Sequence, residues 1–268
     1  MVTLTFGSLF SGIGGADYGL EQAGLTCKWQ VEIDNFCQKV LQKHWPDVSR
    51  YSDVMEVGCD ELETTDVIWG SPPCQPHSLA GKQRGEKDYR DLWPEYFRIV
   101  AGKHPRWFVC ENVLGIEFTI LDKMLFEMES EGYEVAAFNI PACAFDANHR
   151  RERIFVIGHD ANVNSNSIQQ QEGSGEQKTW PPFPFESAWE QHTQLQFAGL
   201  DVLSRSDNRR RTYRWTPEPP FRRVVYGSAS RLDKRRIRAI GNAVVPSVAR
   251  FIGECIVGVE CSGLTKAN

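Results

Sequence analysis

Cys74 is the residue of this chain best placed for nucleophilic chemistry. It lies in Gly70-Ser-Pro-Pro-Cys-Gln-Pro-His-Ser78, directly after the apolar run Thr65-Asp-Val-Ile-Trp69, and the two prolines hold its backbone rigid and non-helical. A free thiol has a pKa of about 8.5 and is intrinsically nucleophilic, so moderate activation suffices for attack on an electron-poor ring carbon. The plainer alternative is a small buried thiol. Phe108-Val-Cys-Glu-Asn-Val113 sets a carboxylate and an amide at the end of another strand. Glu111 can donate a proton or hydrogen bond to a ring nitrogen and Asn112 can orient the neighbouring turn; without Cys74 the two would read as polar strand caps. His149-Arg-Arg-Glu-Arg-Ile154 adds cations, and strand alternation predicts Arg151 and Arg153 on one side with Glu152 on the other. Such a pair can hold a base carbonyl, a phosphate or Glu111.

A second group of residues suits a nucleotide-like ligand. Phe10-Ser-Gly-Ile-Gly-Gly15 sits between an apolar run and a helical pattern, where glycines let the backbone approach a ligand closely. A plain tight turn is the competing reading. Trp29-Gln-Val-Glu32 ends a second strand in an acid that can accept bonds from ribose hydroxyls, and Asp53 is a further acid at a strand end. No Gly-Lys-Ser/Thr follows a glycine turn, which argues against a phosphate loop.

These groups need a scaffold that brings strand ends together. Thr3 to Phe10, Thr65 to Trp69, Trp107 to Cys110 and Arg153 to Gly158 read as strands, several apolar on both faces as a covered parallel sheet requires. Helical patterns fall near Asp17 to Gln22, Asn35 to Lys43, Leu92 to Ala101, Ile120 to Glu131 and Ser247 to Val257. Strand and helix alternate, so the expected fold is α/β: a mixed, mostly parallel, doubly wound Rossmann-like sheet with helices on both faces. From Asn162 to Lys178 the chain is almost devoid of apolar residues and reads as a linker. Trp180 to Phe185, an arginine-rich stretch and Trp215 to Phe221 follow, so rich in proline that a small irregular subdomain is expected.

Composition narrows the class. With 268 residues, 41% hydrophobic and 24% charged, the chain suits one catalytic unit of a globular protein. No stretch reaches the roughly 20 apolar residues of a membrane span, and no signal pattern opens the chain, so no membrane association and a cytoplasmic location are expected. None of the eight cysteines is in Cys-x-x-Cys spacing, and Cys143, His149 and His159 lack ligand spacing, so reduced thiols and no metal are expected. Between Arg205 and Arg238 twelve Lys or Arg face three Asp or Glu, a local +9 in a chain whose net charge is −5. That block suits a phosphate-contacting surface or, equally, a solvated charged face.

Taken in order, Phe-x-Gly-x-Gly-Gly, Pro-Pro-Cys-Gln, Glu-Asn-Val, Arg-x-Arg and Gly241-Asn-Ala-Val-Val-Pro246 resemble the motifs of the DNA (cytosine-5) methyltransferase family of prokaryotic and phage type. The resemblance implies an S-adenosylmethionine pocket lined by Phe10, Gly12, Gly14, Gly15, Glu32, Ile33, Asp53, Pro73, Leu92 and Asn242. In it Phe10 would stack on adenine, Glu32 hold the ribose and Asp53 read the adenine edge. It implies that Cys74 adds to C6 of a flipped-out cytosine in double-stranded DNA, with Glu111 stabilising protonation at N3 and Arg151 on the base carbonyl; Asn112 and Arg153 complete the set. It implies DNA contacts from Gln75, Ser78, Lys82 and Arg84 on a mobile loop over the base, and from Arg209, Arg210 and Arg211. On this reading residues 1–160, completed by 235–268, form the catalytic domain and 161–234 a linker with a small target-recognition region. The final helix would then pack on the first, and a cognate restriction endonuclease is an admissible partner not required for activity.

The chain departs from the family pattern at Ser8, where Asp is often found, at His77, where Phe is common, and at His149, where Gln usually stands. None of these has an assigned chemical role. The short 162–212 stretch leaves little chain to read bases, which bears on stringent specificity. Two other readings compete with this one. The RNA-directed branch of the family is marked by a Cys-Phe-Thr element absent from this chain, and a binding homologue without turnover sits badly with intact Cys74, Glu111 and Arg151.

Overall fold

The computed structural model describes residues 3–73, 91–145, 147, 150–160, 201–203 and 239–265. Its strands are β1 (Thr5–Leu9), β2 (Thr26–Val31), β3 (Ser49–Tyr51), β4 (Val67–Gly70), β5 (Trp107–Val113), β6 (Tyr133–Pro141), β7 (Glu152–Asp160) and β8 (Asp201–Leu203). They form a single sheet in the order β3-β2-β1-β4-β5-β7-β6-β8. The pairings from β3 to β5 are parallel and those of β7 with β5 and β6, and of β6 with β8, are antiparallel. The sheet is therefore mixed and mostly parallel, as expected.

The period-two rule explains how one apolar run serves two cores. Val67, Trp69, Trp107, Val109, Phe155 and Ile157 face one core, while Ile68, Phe108, Cys110, Ile154 and Val156 face the other. The first core is covered by α1 (Gly15–Gln22) and α5 (Pro246–Thr265), with Leu41 of α2 (Asn35–His44); the second is covered by α3 (Trp93–Lys103) and α4 (Leu121–Ser130). Glu111 shares the parity of Trp107 and Val109, so β5 presents it on the α1/α5 side of the sheet.

Helix α5 packs against α1 so closely that a Cβ on Gly19 would stand 2.2 Å from the Pro246 carbonyl oxygen and 2.8 Å from Ala249 Cβ. Beyond the seam, Glu260 near the end of α5 accepts from Trp107 Nε1 at 2.8 Å and pairs with Arg106, tying the helix to the start of β5. No helix among the described residues is long and apolar enough to cross a membrane.

Several boundaries differ from the sequence reading. Strand β5 runs on to Val113, paired with Arg153, so Glu111 and Asn112 lie within the strand rather than beyond it. Strand β1 stops at Leu9, and Phe10 turns away with φ of 56°. Strand β3 ends two residues before Asp53, in line with the acid expected at a strand end, whereas β6 and β8 have no counterpart in the sequence reading.

Candidate active site

Strands β2 and β3 lie on one side of β1, and β4 and β5 on the other. The connections therefore diverge at β1/β4, which opens a crevice beyond the carboxyl ends of the parallel strands, the usual ligand site of such sheets. Ser11 N donates to Val31 O at 3.1 Å, Glu32 N to Tyr51 O at 3.0 Å and Ser71 N to Leu9 O at 3.4 Å, so the segments leaving β1, β2 and β4 are stitched together along this edge.

On the β1/β2 side, the glycine turn wraps a buried carboxylate. Gly12 N donates to Glu32 Oε2 at 2.7 Å and Asp34 N to Glu32 Oε1 at 2.7 Å. Burial raises the Glu32 carboxyl above its ordinary range, and the two backbone donors oppose that shift. Each oxygen retains a second lone pair, so the carboxylate can still accept a hydroxyl from a ligand. Gly12 has φ of 58°, and a Cβ there would meet nothing within 4 Å, which leaves open space over the turn. Gly14 carries φ of 81° at the N-cap of α1, and Phe10 is half-buried. Ile33 next to Glu32 is 69% exposed and Met55 near Asp53 is 65% exposed. Asp53 Oδ1 accepts from Met55 N at 2.9 Å. Leu92 is the N-cap of α3, whose Tyr96 ring covers Gly70 at the end of β4.

Below this turn Asp17 of α1 is fully buried, accepting from Gln30 Nε2 at 2.8 Å and from Ser8 Oγ at 3.2 Å. Burial pushes its carboxyl up to about 6 despite those bonds. Ser8, one of the three departures from the family pattern, thus serves a buried acid supplied by the helix.

On the β4/β5 side, Glu111 is 6% exposed and forms an ion pair with Arg153 Nε at 3.0 Å. Burial holds the carboxyl above its ordinary range, and Arg153 and Arg151 pull it back. Asn112 Nδ2 donates to Pro72 O at 3.4 Å and its Oδ1 accepts from Val113 N at 2.8 Å, so β5 supports the proline segment leading to Cys74. Pro73 is exposed.

Arg151 is arranged differently from expectation. It lies just before β7 with φ of 33°, so strand alternation does not set its direction. Its Nη1 donates to Gly241 O at 2.6 Å and its Nη2 to Ala243 O at 2.9 Å, whereas the guanidinium bonded to Glu111 is that of Arg153. Arg151, Arg153 and Glu111 nonetheless line one small crevice with Phe155, Val244 and Val248. Glu152 turns away and pairs with Arg150 at 2.7 Å. Asn242, between the two carbonyls that Arg151 holds, is exposed, and the Val244 carbonyl presses on Gly15, where a Cβ would stand 2.4 Å from it.

The structure thus joins Gly12 to Glu32, Glu111 to Arg153, Asn112 to Pro72, and Arg151 to the 241–243 segment. Cys74, Gln75, Ser78, Lys82, Arg84, Arg209, Arg210, Arg211 and most of the 161–234 region lie outside the described residues. The sequence reading missed Asp34 and the contacts of Arg151 with the Gly241 and Ala243 carbonyls. Asp34 had a signal, being an acid before Asn35 whose Oδ1 caps α2 through Phe36 N at 2.8 Å. Buried His159, which packs 4.3 Å from Trp107, is pushed down to about 4 by burial and Arg106.

Comparison with known proteins agrees with this architecture. The profile of the C-5 cytosine-specific DNA methylase family matches residues 4–215. The type II methyltransferase M.HgiCII of Herpetosiphon aurantiacus is 34% identical over 164 residues, covering 59% of this chain and 38% of that protein. M.FnuDI of Fusobacterium nucleatum is 34% identical over 167 residues, covering 60% of this chain and 48% of the relative. This chain thus spans less than half the length of either. A crystal structure described as a DNA modification methyltransferase encoded within an E. coli prophage superposes with a TM-score of 0.52 at 25% identity, over 69% of this chain and 54% of the other. Spodoptera frugiperda DNMT2 shares the fold, with a TM-score of 0.51 at 20% identity over 68% of this chain and 56% of its own. The motifs, the sheet and the profile match over most of its length lead to one conclusion: the chain belongs to the C-5 cytosine-specific DNA methylase family.

Proposed function

We propose that this chain methylates C5 of cytosine in double-stranded DNA, using S-adenosylmethionine as donor and Cys74 as nucleophile. The observation that carries the reading is the β4/β5 edge, where Arg153 holds buried Glu111 and Asn112 holds Pro72, two residues before Cys74 in the chain. The residues present fit the cofactor: open space over Gly12, a buried acceptor in Glu32 and exposed apolar Ile33 suit a nucleoside. Phe10, Gly14, Gly15, Asp53, Pro73, Leu92 and Asn242 complete the pocket in this proposal. When bound, S-adenosylmethionine supplies an electrophilic sulfonium methyl.

The protein's own part follows from its groups. Cys74 Sγ forms a bond to C6 of a flipped-out cytosine, which turns C5 into a carbon nucleophile, and Glu111 holds a proton at N3. A carboxyl raised by burial suits that role, because it keeps its proton nearer neutral pH. Arg153 keeps Glu111 in place and reaches toward the base carbonyl, a task the sequence reading gave to Arg151. After methylation a base removes the C5 proton and the Sγ–C6 bond breaks, restoring the ring. Gln75, Ser78, Lys82, Arg84 and Arg209 to Arg211 contact DNA; 161–234 supplies recognition, and 1–160 with 235–268 the catalytic domain. A partner endonuclease and a cytoplasmic location accord with the type II relatives.

A duplex containing 5-fluorocytosine tests this directly. Fluorine at C5 cannot leave as a proton does, so with S-adenosylmethionine present the Sγ–C6 bond should persist as a denaturation-resistant protein–DNA complex. The Cys74→Ala variant should form none. Equal complex formation by that variant, or none by the wild type, would overturn the reading.

A further inference from the structure

We propose that Arg151 is a positioning residue that builds the cofactor side of the crevice from the base side by clamping the 241–245 strap. The inference rests on the functional reading above and on three features of the structure. Arg151 reaches across some ninety residues of sequence to two backbone carbonyls, Gly241 O at 2.6 Å and Ala243 O at 2.9 Å. A planar guanidinium is suited to this, since its fixed fork can satisfy two acceptors at once where an ammonium cannot match both directions. The strap is pinned on its other side too. The Val244 carbonyl fills the space that a side chain at Gly15 would need, and Ser247 Oγ donates to Phe145 O at 3.3 Å.

The backbone of Arg151 carries the third feature. Its φ of 33° lies in the left-handed region that non-glycine residues avoid. Such conformations persist where surrounding contacts over-determine them, and they concentrate at sites that need a side chain aimed in one direction. Here the turn aims Arg151 at the strap while Arg153, two residues on, is left to Glu111. The two arginines thereby divide the work: Arg153 serves the reacting base, and Arg151 fixes the segment carrying Asn242 beside the glycine turn.

The test uses the full chain with Arg151→Gly, Arg151→Lys and Arg153→Lys. Glycine accepts the left-handed backbone at no cost, so Arg151→Gly removes the clamp without adding strain. Calorimetry with S-adenosylhomocysteine should show binding weakened roughly tenfold or more in Arg151→Gly, the loss expected for two charge-assisted hydrogen bonds. Arg151→Lys should fall between it and wild type. Turnover at saturating cofactor should stay within about threefold of wild type in Arg151→Gly, while Arg153→Lys should lose turnover and keep cofactor affinity. Hydrogen exchange should speed up across 239–248 in Arg151→Gly and not across β7. Unchanged cofactor affinity with unchanged exchange overturns the clamp, as does a loss confined to turnover. If the wild type binds no S-adenosylhomocysteine, the functional reading fails, and exchange across 239–248 still decides the clamp.

Discussion

Glu32 and Glu111 are both buried glutamates toward the carboxyl ends of parallel strands of one sheet, yet they are held by opposite means. Glu32 is fixed by backbone donors, Gly12 N and Asp34 N, which form part of the loop itself and cannot leave. Glu111 is fixed by the side chain of Arg153, a partner that can shift when another group approaches. Burial raises both carboxyls, but only the second faces cations that favour its ionised form. The difference teaches what each end is built for. A carboxylate clamped by amides is a static acceptor suited to hydroxyls, whereas one balanced between burial and guanidinium can change its protonation during a reaction.

Replacing each acid separately gives the strongest test of this contrast. Glu111→Gln keeps the shape but cannot carry an ionisable proton, so turnover should fall about a hundredfold or more, with cofactor affinity kept. Equal losses in turnover and cofactor affinity would erase the distinction between the two ends. Asp17, a third buried acid beneath the glycine turn, tests whether burial rather than function sets these shifts. Its folded value of about 6 lies above its ordinary 3.8, so its stabilising contribution is present below about pH 4 and is lost as pH rises through 6. Asp17→Asn should flatten the wild-type decline in urea-measured stability across that window by at most about 3 kcal/mol. Identical slopes would mean that Asp17 stays ionised in the fold.

Two smaller effects sharpen the geometry. Gly19→Ala drives a methyl into the Pro246 carbonyl and should cost about 2 kcal/mol, lowering the melting temperature by roughly 4–8 °C. An unchanged melting temperature would show that the α1–α5 seam can open. Glu32→Gln turns an amide N–H toward one of two backbone N–H groups and should weaken cofactor binding about tenfold, leaving turnover at saturation intact. A selective loss of turnover instead would make Glu32 part of the reacting centre.

The sheet was legible where physics wrote it twice. Runs such as Thr65 to Trp69 are apolar on both faces because two helical layers cover them, and glycine turns or acids follow them. Strand β6 escaped notice because Ala136, Ala137 and Asn139 blur its alternation, although it is paired on both sides. Strand β8, at three residues, is too short for any period to show. Glu32 and Glu111 were legible because each closes an apolar run. The contacts of Arg151 were not, for its acceptors are backbone carbonyls far along the chain and its left-handed backbone obeys no strand rule. Asp17 reads in sequence as an acid in the first turn of a helix, a common surface device, and only the fold buries it.

The most direct test of the central claim is base-resolution 5-methylcytosine sequencing of DNA from a methylation-free bacterial host expressing this chain, with Cys74→Ala in parallel. The account predicts methylation in a defined sequence context with the wild type and none with the variant. Absence of methylation from both, with folded protein confirmed, would contradict it.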